Sequence, residues 1–354
     1  MTLDYFFHLR SRLPFPVMQE YCSRLELPTA QGWDKLEDKF TDLHRHDPER
    51  IDELLAQIFR EALPVGERAV QLYALTVEDI SRFRPLLEAI HTQQDSIYMD
   101  SYPAPLEQDQ LATVPDGLVL CEVSRVDDVV SLVFCTRRIQ EDREPRTRDE
   151  IGNAAVQQFG WQDYDEFVFI RRRYIQCYEV VRFDLTNRIV EVRVEEKTGV
   201  DTSGSMNQVR VALDHLLMVP NNPSSLPLPV NFFPAIRSMY NAESEGIVVE
   251  LGFTTETGSA KHEKMRRQGS DLRDEPFHVG GSAAIQGALT PFRIAIRWSA
   301  EHGVPGEVIL PGSIRQLGNP MPRLDYLILK NAHSEAVTRA CIDRVVRHLS
   351  DDRA

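Results

Sequence analysis

Apolar residues recur with a helical period through the first part of the chain. Spacings of three and four between them are the pattern of amphipathic α-helices. Asp47 and Pro48 form a start signal, with an acid at the N-cap and a proline at the first helical position. We expect further helix over residues 66–92, with Thr76 as the cap of its last segment. The other helices that this pattern predicts span residues 3–12, 15–25, 33–43 and 48–62.

The period changes to that of β-strands in the stretch 167–197, the densest run of β-branched and aromatic residues in the chain. Between residues 190 and 195, three valines alternate with three charged side chains, and residues 184–188 carry Asp and Asn for a turn. We therefore predict a long antiparallel hairpin with one packed face and one charged outer face. Its first strand, residues 167–183, greatly exceeds the usual length of about 5–6 residues. A bulge or break is expected near Arg171, Arg172 and Arg173.

The remaining patterns complete an α+β fold, in which an all-helical N-terminal domain precedes a mixed, mainly antiparallel sheet with flanking helices. A strand pair is predicted at 117–125 and 129–137, and the charged run 137–150 is interpreted as a solvated loop or helix start. Pro-rich polar segments mark the predicted boundaries. The predicted organisation is a helical domain at 1–95, a linker at 96–116, an antiparallel β domain with a helix at 117–220, and an α+β domain at 221–354.

Composition indicates an ordinary globular protein of 354 residues, with 42% hydrophobic and 27% charged residues. The net charge of −14 opposes non-specific binding to polyanions, so any nucleic-acid contact needs a local basic patch. The five cysteines show no paired spacing and are interpreted as reduced thiols of a cytoplasmic protein. Only six of the 40 basic residues are lysine, a bias typical of a GC-rich bacterial genome. No apolar run reaches the length of a membrane helix.

The segment 13–40 contains the first candidate site. A helix ending at Leu27 is followed by Pro28-Thr29 and by a second helix from Trp33. This segment resembles the SAP-type helix–extended–helix module, whose family binds DNA or RNA. The resemblance implies that Lys35 and Lys39 contact phosphates together with the amides that begin the second helix. The alternative is an ordinary helical hairpin.

The loop 254–281 contains the second candidate site. Lys261, His262, Lys264, Arg266 and Arg267 fall within seven residues, between two glycines. Such a loop favours a phosphate contact, because glycine lets the backbone approach and the cations neutralise charge. The alternative is a solvated loop, since its second half is acidic.

The third candidate is Asp184 with the sequence Glu195-Glu196-Lys197, which resembles the pattern of PD-(D/E)xK nucleases. In that family two carboxylates hold Mg²⁺ and the lysine steadies the nucleophile. The alternative is a chance match on a charged strand. The histidines show no metal-ligand spacing, and no nucleotide-binding glycine motif occurs, so no metal site and no cofactor are predicted.

These features favour a non-catalytic bacterial protein that binds DNA or RNA through local basic patches, including Arg171–Arg173. One alternative is a protein–protein scaffold or regulatory subunit whose partner is encoded in the same operon. A further alternative is a divergent metal-dependent nuclease, which leaves open whether the protein is an enzyme.

Nucleic-acid binding predicts an affinity that falls steeply with salt, because each neutralised phosphate releases counterions. Replacing Lys261, Lys264, Arg266 and Arg267 by Ala is then expected to abolish binding in a low-salt gel-shift assay. The absence of any shift with the unaltered protein would contradict the hypothesis.

Overall fold

One ten-stranded antiparallel sheet forms the centre of the computed structural model. The structure describes residues 3–92, 95–218, 226–266, 269–285, 289–298 and 306–350. Fourteen α-helices lie within these ranges. They are α1 Asp4–Arg10, α2 Phe15–Arg24, α3 Trp33–His46, α4 Pro48–Ala62, α5 Val77–Ala89, α6 Ile97–Ser101, α7 Gln108–Thr113, α8 Arg148–Ile151, α9 Asn153–Phe159, α10 Thr202–Leu216, α11 Phe233–Asn241, α12 Pro276–Ala284, α13 Ile314–Leu317 and α14 Glu335–Ser350.

The strands are joined in the order β2-β3-β4-β5-β1-β10-β9-β8-β6-β7, so β5 and β1 are the fourth and fifth strands and lie in the interior of the sheet. All their pairings are antiparallel. The strands are β1 Arg68–Ala74, β2 Val119–Val126, β3 Val129–Thr147, β4 Glu166–Asp184, β5 Ile189–Glu195, β6 Ile247–Thr254, β7 Ala260–Lys264, β8 Thr290–Arg297, β9 Glu307–Leu310 and β10 Leu327–Lys330.

The α+β class is confirmed, and so are the helix start signals near the N-terminus. Asp47 accepts a hydrogen bond from the Arg50 amide at 3.3 Å, so its side chain satisfies one of the free amides of the first turn of α4. Thr76 and Asp79 form a capping box at the start of α5. These local hydrogen bonds explain why short-range patterns locate the helices well.

Three local predictions are wrong. Residues 68–74, expected to be helical, form β1, which pairs on one side with β5 and on the other with β10. The charged run 137–150 is mostly strand, because β3 continues to Thr147 before α8 begins. The break expected near Arg171–Arg173 is absent, since β3 and β4 pair from Val129 and Asp184 to Thr147 and Glu166 without a shift of register.

Helices cover both faces of the sheet. On one face, α1–α4 pack on β2–β4, and α11 and α14 pack on the half formed by β1, β10, β9, β8 and β6. On the opposite face, α5 and α10 pack on side chains from both halves. Two separate helical layers therefore share one face, with β5 between them.

The charged side chains of β5 lie at the junction of these two layers. Arg193 is directly opposite Val180 on β4 and Val70 on β1, so the three side chains are on the same face. Val180 belongs to the core under α1–α4, and Val70 to the core under α11 and α14. Glu191, Arg193 and Glu195 are only 0%, 0% and 5% exposed. The face of the hairpin that was predicted to be charged and outward is therefore buried. We call these three residues the ionic row.

The ionic row binds parts of the chain that are distant in sequence. Arg193 is paired with Glu191, donates to Glu335 Oε1 at the start of α14 at 2.7 Å, and donates to the Pro64 carbonyl at 3.0 Å. Glu191 also pairs with Arg339 Nη1 at 2.9 Å. A buried charge is costly unless it is paired, so these contacts fix the start of α14 and the connection from α4 to β1 against the sheet.

The predicted domain boundaries stay predictions, and the one near residues 220–221 lies outside the described residues. Strands from all three predicted domains nevertheless join the same sheet. The predicted linker at 96–116 contains α6 and α7.

Replacing Arg193 by Ala is expected to lower the free energy of unfolding by about 3–5 kcal/mol, because it leaves Glu191 and Glu335 without their shared partner. Arg45→Ala is the matched control. Its pair with Asp42 is 72% and 75% exposed, and such a pair contributes about 0–1 kcal/mol. Urea unfolding followed by circular dichroism measures both values, and equal losses would contradict the role of the ionic row.

Candidate functional site

The outer part of the β3–β4 hairpin forms an arm, which we define as residues 142–171. Six cross-strand pairs, from Asp142–Arg171 to Thr147–Glu166, extend it by about 20 Å at ~3.4 Å per residue. The short helices α8 and α9 form its tip. Its root is tied to the loop after β5, where the Glu141 amide donates to the Gly199 carbonyl at 3.1 Å and Gln140 Nε2 donates to the Thr198 carbonyl at 2.9 Å.

The arm is exposed on both faces. Val156 is the only buried residue among its 30 residues, all of which the structure describes. Val168, Phe169 and Ile170 are 57%, 49% and 47% exposed. At the tip, the rings of Trp161 and Phe159 stack with a centroid separation of 4.8 Å. Phe159 is nevertheless 58% exposed. Together with Tyr164, the arm carries five of the 17 exposed large apolar side chains of the described residues. An exposed apolar surface of this kind typically marks an interaction site.

The three arginines of the predicted basic cluster lie at the root of the arm. Arg172 donates to Glu141 Oε2 at 3.0 Å, and Arg173 donates to Gln140 Oε1 at 3.0 Å and lies 3.6 Å from Asp142. Arg171 stands opposite Asp142 on β3. Acidic side chains of β3 therefore lie next to the arginine cluster. Because β3 and β4 are separated in sequence, local patterns did not predict this pairing.

The two helices expected on either side of the segment 25–32 are confirmed as α2 and α3. The resemblance of this hairpin to a SAP-type module stays a prediction. Lys39 Nζ donates to the Thr29 carbonyl at 2.6 Å, and Lys35 Nζ to Gln31 Oε1 at 3.2 Å. Arg10 pairs with Asp34 at 2.7 Å in the first turn of α3. The Arg10–Asp34 ion pair therefore occupies the N-terminal end of α3, where the resemblance predicts a bound phosphate.

The basic segment after β6 is an edge strand and not only a loop. His262 Nε2 lies 2.9 Å and Lys264 Nζ 3.3 Å from the carboxylate of Glu250 on β6. Burial alone would raise the pKa of Glu250, but hydrogen bonds from Arg293 and His262 lower it to about 2. Lysine on an edge strand also prevents pairing with other chains, which gives β7 a structural reason for its charge. Lys261 and Arg266 are exposed, and Arg267 lies outside the described residues.

The two basic clusters on the sheet lie far apart. Arg171–Arg173 belong to the third strand in the sheet order and Lys261–Lys264 to the tenth. Seven strand spacings of ~4.8 Å separate them by roughly 34 Å across the sheet. A single small basic patch is therefore not formed by these residues.

The residues of the nuclease-like pattern are also separated. Asp184 pairs with Ile189 at one end of β5, whereas Glu195 ends the strand six residues later, roughly 20 Å away at ~3.3 Å per residue. Asp184 shapes the turn after β4, since its Oδ1 accepts from the Asn187 amide at 3.0 Å. The two carboxylates cannot share one Mg²⁺ ion in this arrangement.

A cavity lies where β4 and β5 separate. Their paired residues end at Val180 and Arg193, while β4 continues into the arm. Just beyond the Val180–Arg193 pair, the carboxylates of two glutamates accept hydrogen bonds from backbone amides of the neighbouring strand. Glu195 Oε1 accepts from the Tyr178 amide at 2.9 Å, and Glu179 Oε2 accepts from the Glu195 amide at 3.0 Å. The space beyond them has a volume of about 490 Å³, and we call it the fork cavity.

Cations from distant parts of the chain surround Glu195 in the fork cavity. Arg12 Nη1 lies 2.6 Å, Lys197 Nζ 3.1 Å and Arg68 Nη2 3.9 Å from its carboxylate. Burial alone would raise the pKa of Glu195, but the charges of Arg12, Lys197 and Arg68 hold it well below its ordinary value. Burial lowers the pKa of Arg68, although Glu195 opposes that effect. Arg12 also lies over the Tyr178 ring, 4.9 Å from its centroid.

Sequence reasoning identified Glu195, Lys197 and Arg173 in other roles, but missed Arg12 and Arg68. Arg12 follows α1, and Arg68 begins a strand that had been expected to be helical. The signal that could have found this site is the Glu-Arg-Glu alternation of β5, whose charges need partners if the strand is central.

No protein-family model matches the chain, and no curated protein matches it. Within the described residues, no group of three or more His, Cys, Asp or Glu side chains is arranged to hold a metal ion. None of the helices that the structure describes is long and apolar enough to span a membrane. The assignment of function therefore rests on the arm and on the fork cavity.

Glu195→Gln is expected to lower the free energy of unfolding at pH 7 by about 3–5 kcal/mol, because it leaves three cations without a carboxylate. The folded pKa of Glu195 lies below its unfolded value of about 4.3. Its stabilising effect is therefore complete above about pH 4.3 and is lost as the pH falls toward the folded pKa.

Urea unfolding between pH 3 and pH 7 tests this, with Glu53→Gln as a control on an exposed glutamate. The difference between the unaltered protein and Glu195→Gln should shrink toward pH 3, whereas the control difference should stay near zero. A constant difference across the range would show that ionised Glu195 does not stabilise the fold.

Proposed function

We propose that the protein is a non-catalytic adaptor that binds a partner protein through its arm. The observation that carries this proposal is the exposed apolar run Val168–Ile170 on a paired ribbon in which, among the described residues 142–171, only Val156 is buried. Fully burying a side chain of this kind against a partner contributes about 1.5–3 kcal/mol. Burial of Val168, Phe169 and Ile170 together would therefore contribute more binding energy than burial of a single exposed apolar side chain.

The shape of the arm favours tight binding. Its two strands are hydrogen-bonded to each other throughout, and its root is held by the contacts to Thr198 and Gly199. A segment that is already ordered loses little conformational entropy on binding. The arm is therefore suited to insert into a partner as a preformed ribbon.

Charge indicates the chemistry of the partner. The arm contains four arginines and seven acidic residues, a net charge of −3. Asp149, Asp163, Asp165 and Glu166 form no ion pair within the described part of the chain. Polar side chains around an apolar centre are typical of binding surfaces, and acids require a complementary basic rim. The best fit is an apolar groove bordered by lysine and arginine.

Nucleic-acid binding stays a prediction, with weaker support from the geometry. A net negative arm repels phosphate, and the basic clusters at residues 171–173 and 261–264 are separated and accompanied by acids. A protein partner agrees with these charges and with the −14 of the whole chain. The bacterial origin, the cytoplasmic location and a partner encoded in the same operon remain part of this proposal.

The test compares two double variants in quantitative affinity purification from the host. Val168→Ser with Ile170→Ser removes apolar surface from one face of the arm, while Val77→Ser with Val279→Ser removes similar exposed surface elsewhere. The same partner should be retained by the unaltered protein and the control, and reduced about tenfold, or ~1.4 kcal/mol, by the arm variant. Its retention should resist nuclease treatment.

Purified partner and protein then give the affinity directly by titration calorimetry, with unfolding midpoints to verify that each variant is folded. Equal affinities for the arm variant and the control would contradict the proposal. Loss of the partner on nuclease treatment would favour nucleic-acid binding instead.

A further inference from the structure

The fork cavity has the dimensions and the position of a ligand site. Its volume of about 490 Å³ falls within the range of about 300–1,000 Å³ typical of small-molecule sites. It lies between α1, α4 and α7, the start of β1, the end of β5 and the strands β3 and β4, so seven elements supply its wall. Arg173, whose side chain is 48% exposed, is one of its lining residues.

Positive charge is in excess on the face of the sheet that forms the wall of the cavity. Arg68 and Glu195 are directly paired across β1 and β5 and therefore share a face, and Lys197 follows two residues later. With Arg12, this face carries three cations and one carboxylate. Glu179 also interacts with Arg68, but its own ion-pair partner is Arg138, so the three cations outnumber the one carboxylate that they contact directly.

The other two acids of the cavity wall stand directly before β1 and directly after β5, where the Glu196 amide donates to the Glu67 carbonyl at 3.2 Å. Glu67 and Glu196 each lie one residue away from the Arg68–Glu195 pair, so their side chains leave the opposite face of the sheet. Glu196 accepts a hydrogen bond from the Thr202 hydroxyl on α10 at 2.6 Å. Burial raises the pKa of Glu196, although the hydrogen bond from Thr202 and the charge of Lys330 oppose that effect. These acids do not neutralise the three cations.

The cations retain unused donors. Arg68 donates to the carbonyls of Val65, Leu63 and Tyr178, which accounts for three of the five N–H groups of a guanidinium. Arg12 donates to Glu195 and to the Gln176 carbonyl, and Gln176 Nε2 has no hydrogen-bond partner among the described residues. A ligand with several acceptor oxygens would satisfy these groups.

We propose that the fork cavity binds a small dianion with a phosphate-monoester head group. Two negative charges match the excess on Arg12, Arg68 and Lys197, and guanidinium groups bind phosphate oxygens with matching geometry. The phosphate lies against these three cations beside Glu195, and the organic part of the ligand extends toward Arg173 at the surface. This site lies at the root of the arm, so it is separate from the surface proposed to bind a protein.

Titration calorimetry at low ionic strength tests the proposal with glycerol 3-phosphate, succinate and sodium chloride, the last at matched ionic strength. Glycerol 3-phosphate should bind with one site per chain, and the dicarboxylate should bind at least tenfold more weakly. No binding beyond the sodium chloride control would overturn the proposal. Equal binding of succinate would overturn the phosphate assignment.

Two lysine variants separate a ligand role from a structural one. Lys197 and Lys264 each pair with a buried glutamate, at 3.1 Å and 3.3 Å, but only Lys197 lines the cavity. Lys197→Gln should weaken glycerol 3-phosphate binding about tenfold, and Lys264→Gln should leave it unchanged. Arg173→Gln provides a further variant at an exposed position that does not depend on the buried charges. Unchanged affinity in both Lys197→Gln and Arg173→Gln would contradict the site.

Discussion

The fold depends on a buried row of charges at the middle of its sheet. Three of the four side chains that β5 directs toward α1–α4 and α14 are charged, namely Glu191, Arg193 and Glu195, yet this strand lies between two apolar cores on the same face. A charge in that position has to be paired. Its partners come from the N-terminal helices, from the connection before β1 and from the start of α14, so the ionic row joins both ends of the chain to one sheet.

The same row explains the two candidate functional features. Beyond Val180 and Arg193 the sheet divides, because the carboxylates of Glu179 and Glu195 accept amide hydrogen bonds there. On one side of the division, β4 continues with β3 and becomes the arm. Inside the division, the cations gathered around Glu195 line the fork cavity. A structural requirement at the centre of the sheet thus places a positively charged cavity at the root of an exposed ribbon.

Much of the fold is predictable from local patterns, and most of the candidate site is not. The first four helices and the cap at Thr76 depend on contacts within a few residues, which periodicity and capping rules describe well. The alternation at 190–195 correctly indicated a strand, but alternation alone does not distinguish a solvated face from a buried one whose partners lie elsewhere. Arg12 is 183 residues from Glu195, and no local rule joins them.

The charged run 137–150 was predicted wrongly for a different reason. Residues 137–150 have the composition of a loop, but pairing with residues of β4 places Glu141 opposite Arg172 and Asp142 opposite Arg171. Cross-strand pairs of opposite charge stabilise an antiparallel ribbon, so the run is strand because of its partner. The apolar residues on the same ribbon remain exposed, which is why the arm, and not the basic clusters, carries the proposed function.

Amide hydrogen exchange of the isolated protein tests the central claim most directly, namely that a body held by the ionic row presents a free arm. Amides in paired positions of β5, Val190–Glu195, should exchange only through global unfolding, whereas those of the arm at 143–147 and 166–171 should exchange through local opening at a much lower free energy. Equal protection of the two segments would contradict the account, because it would mean that the arm is covered in the protein alone.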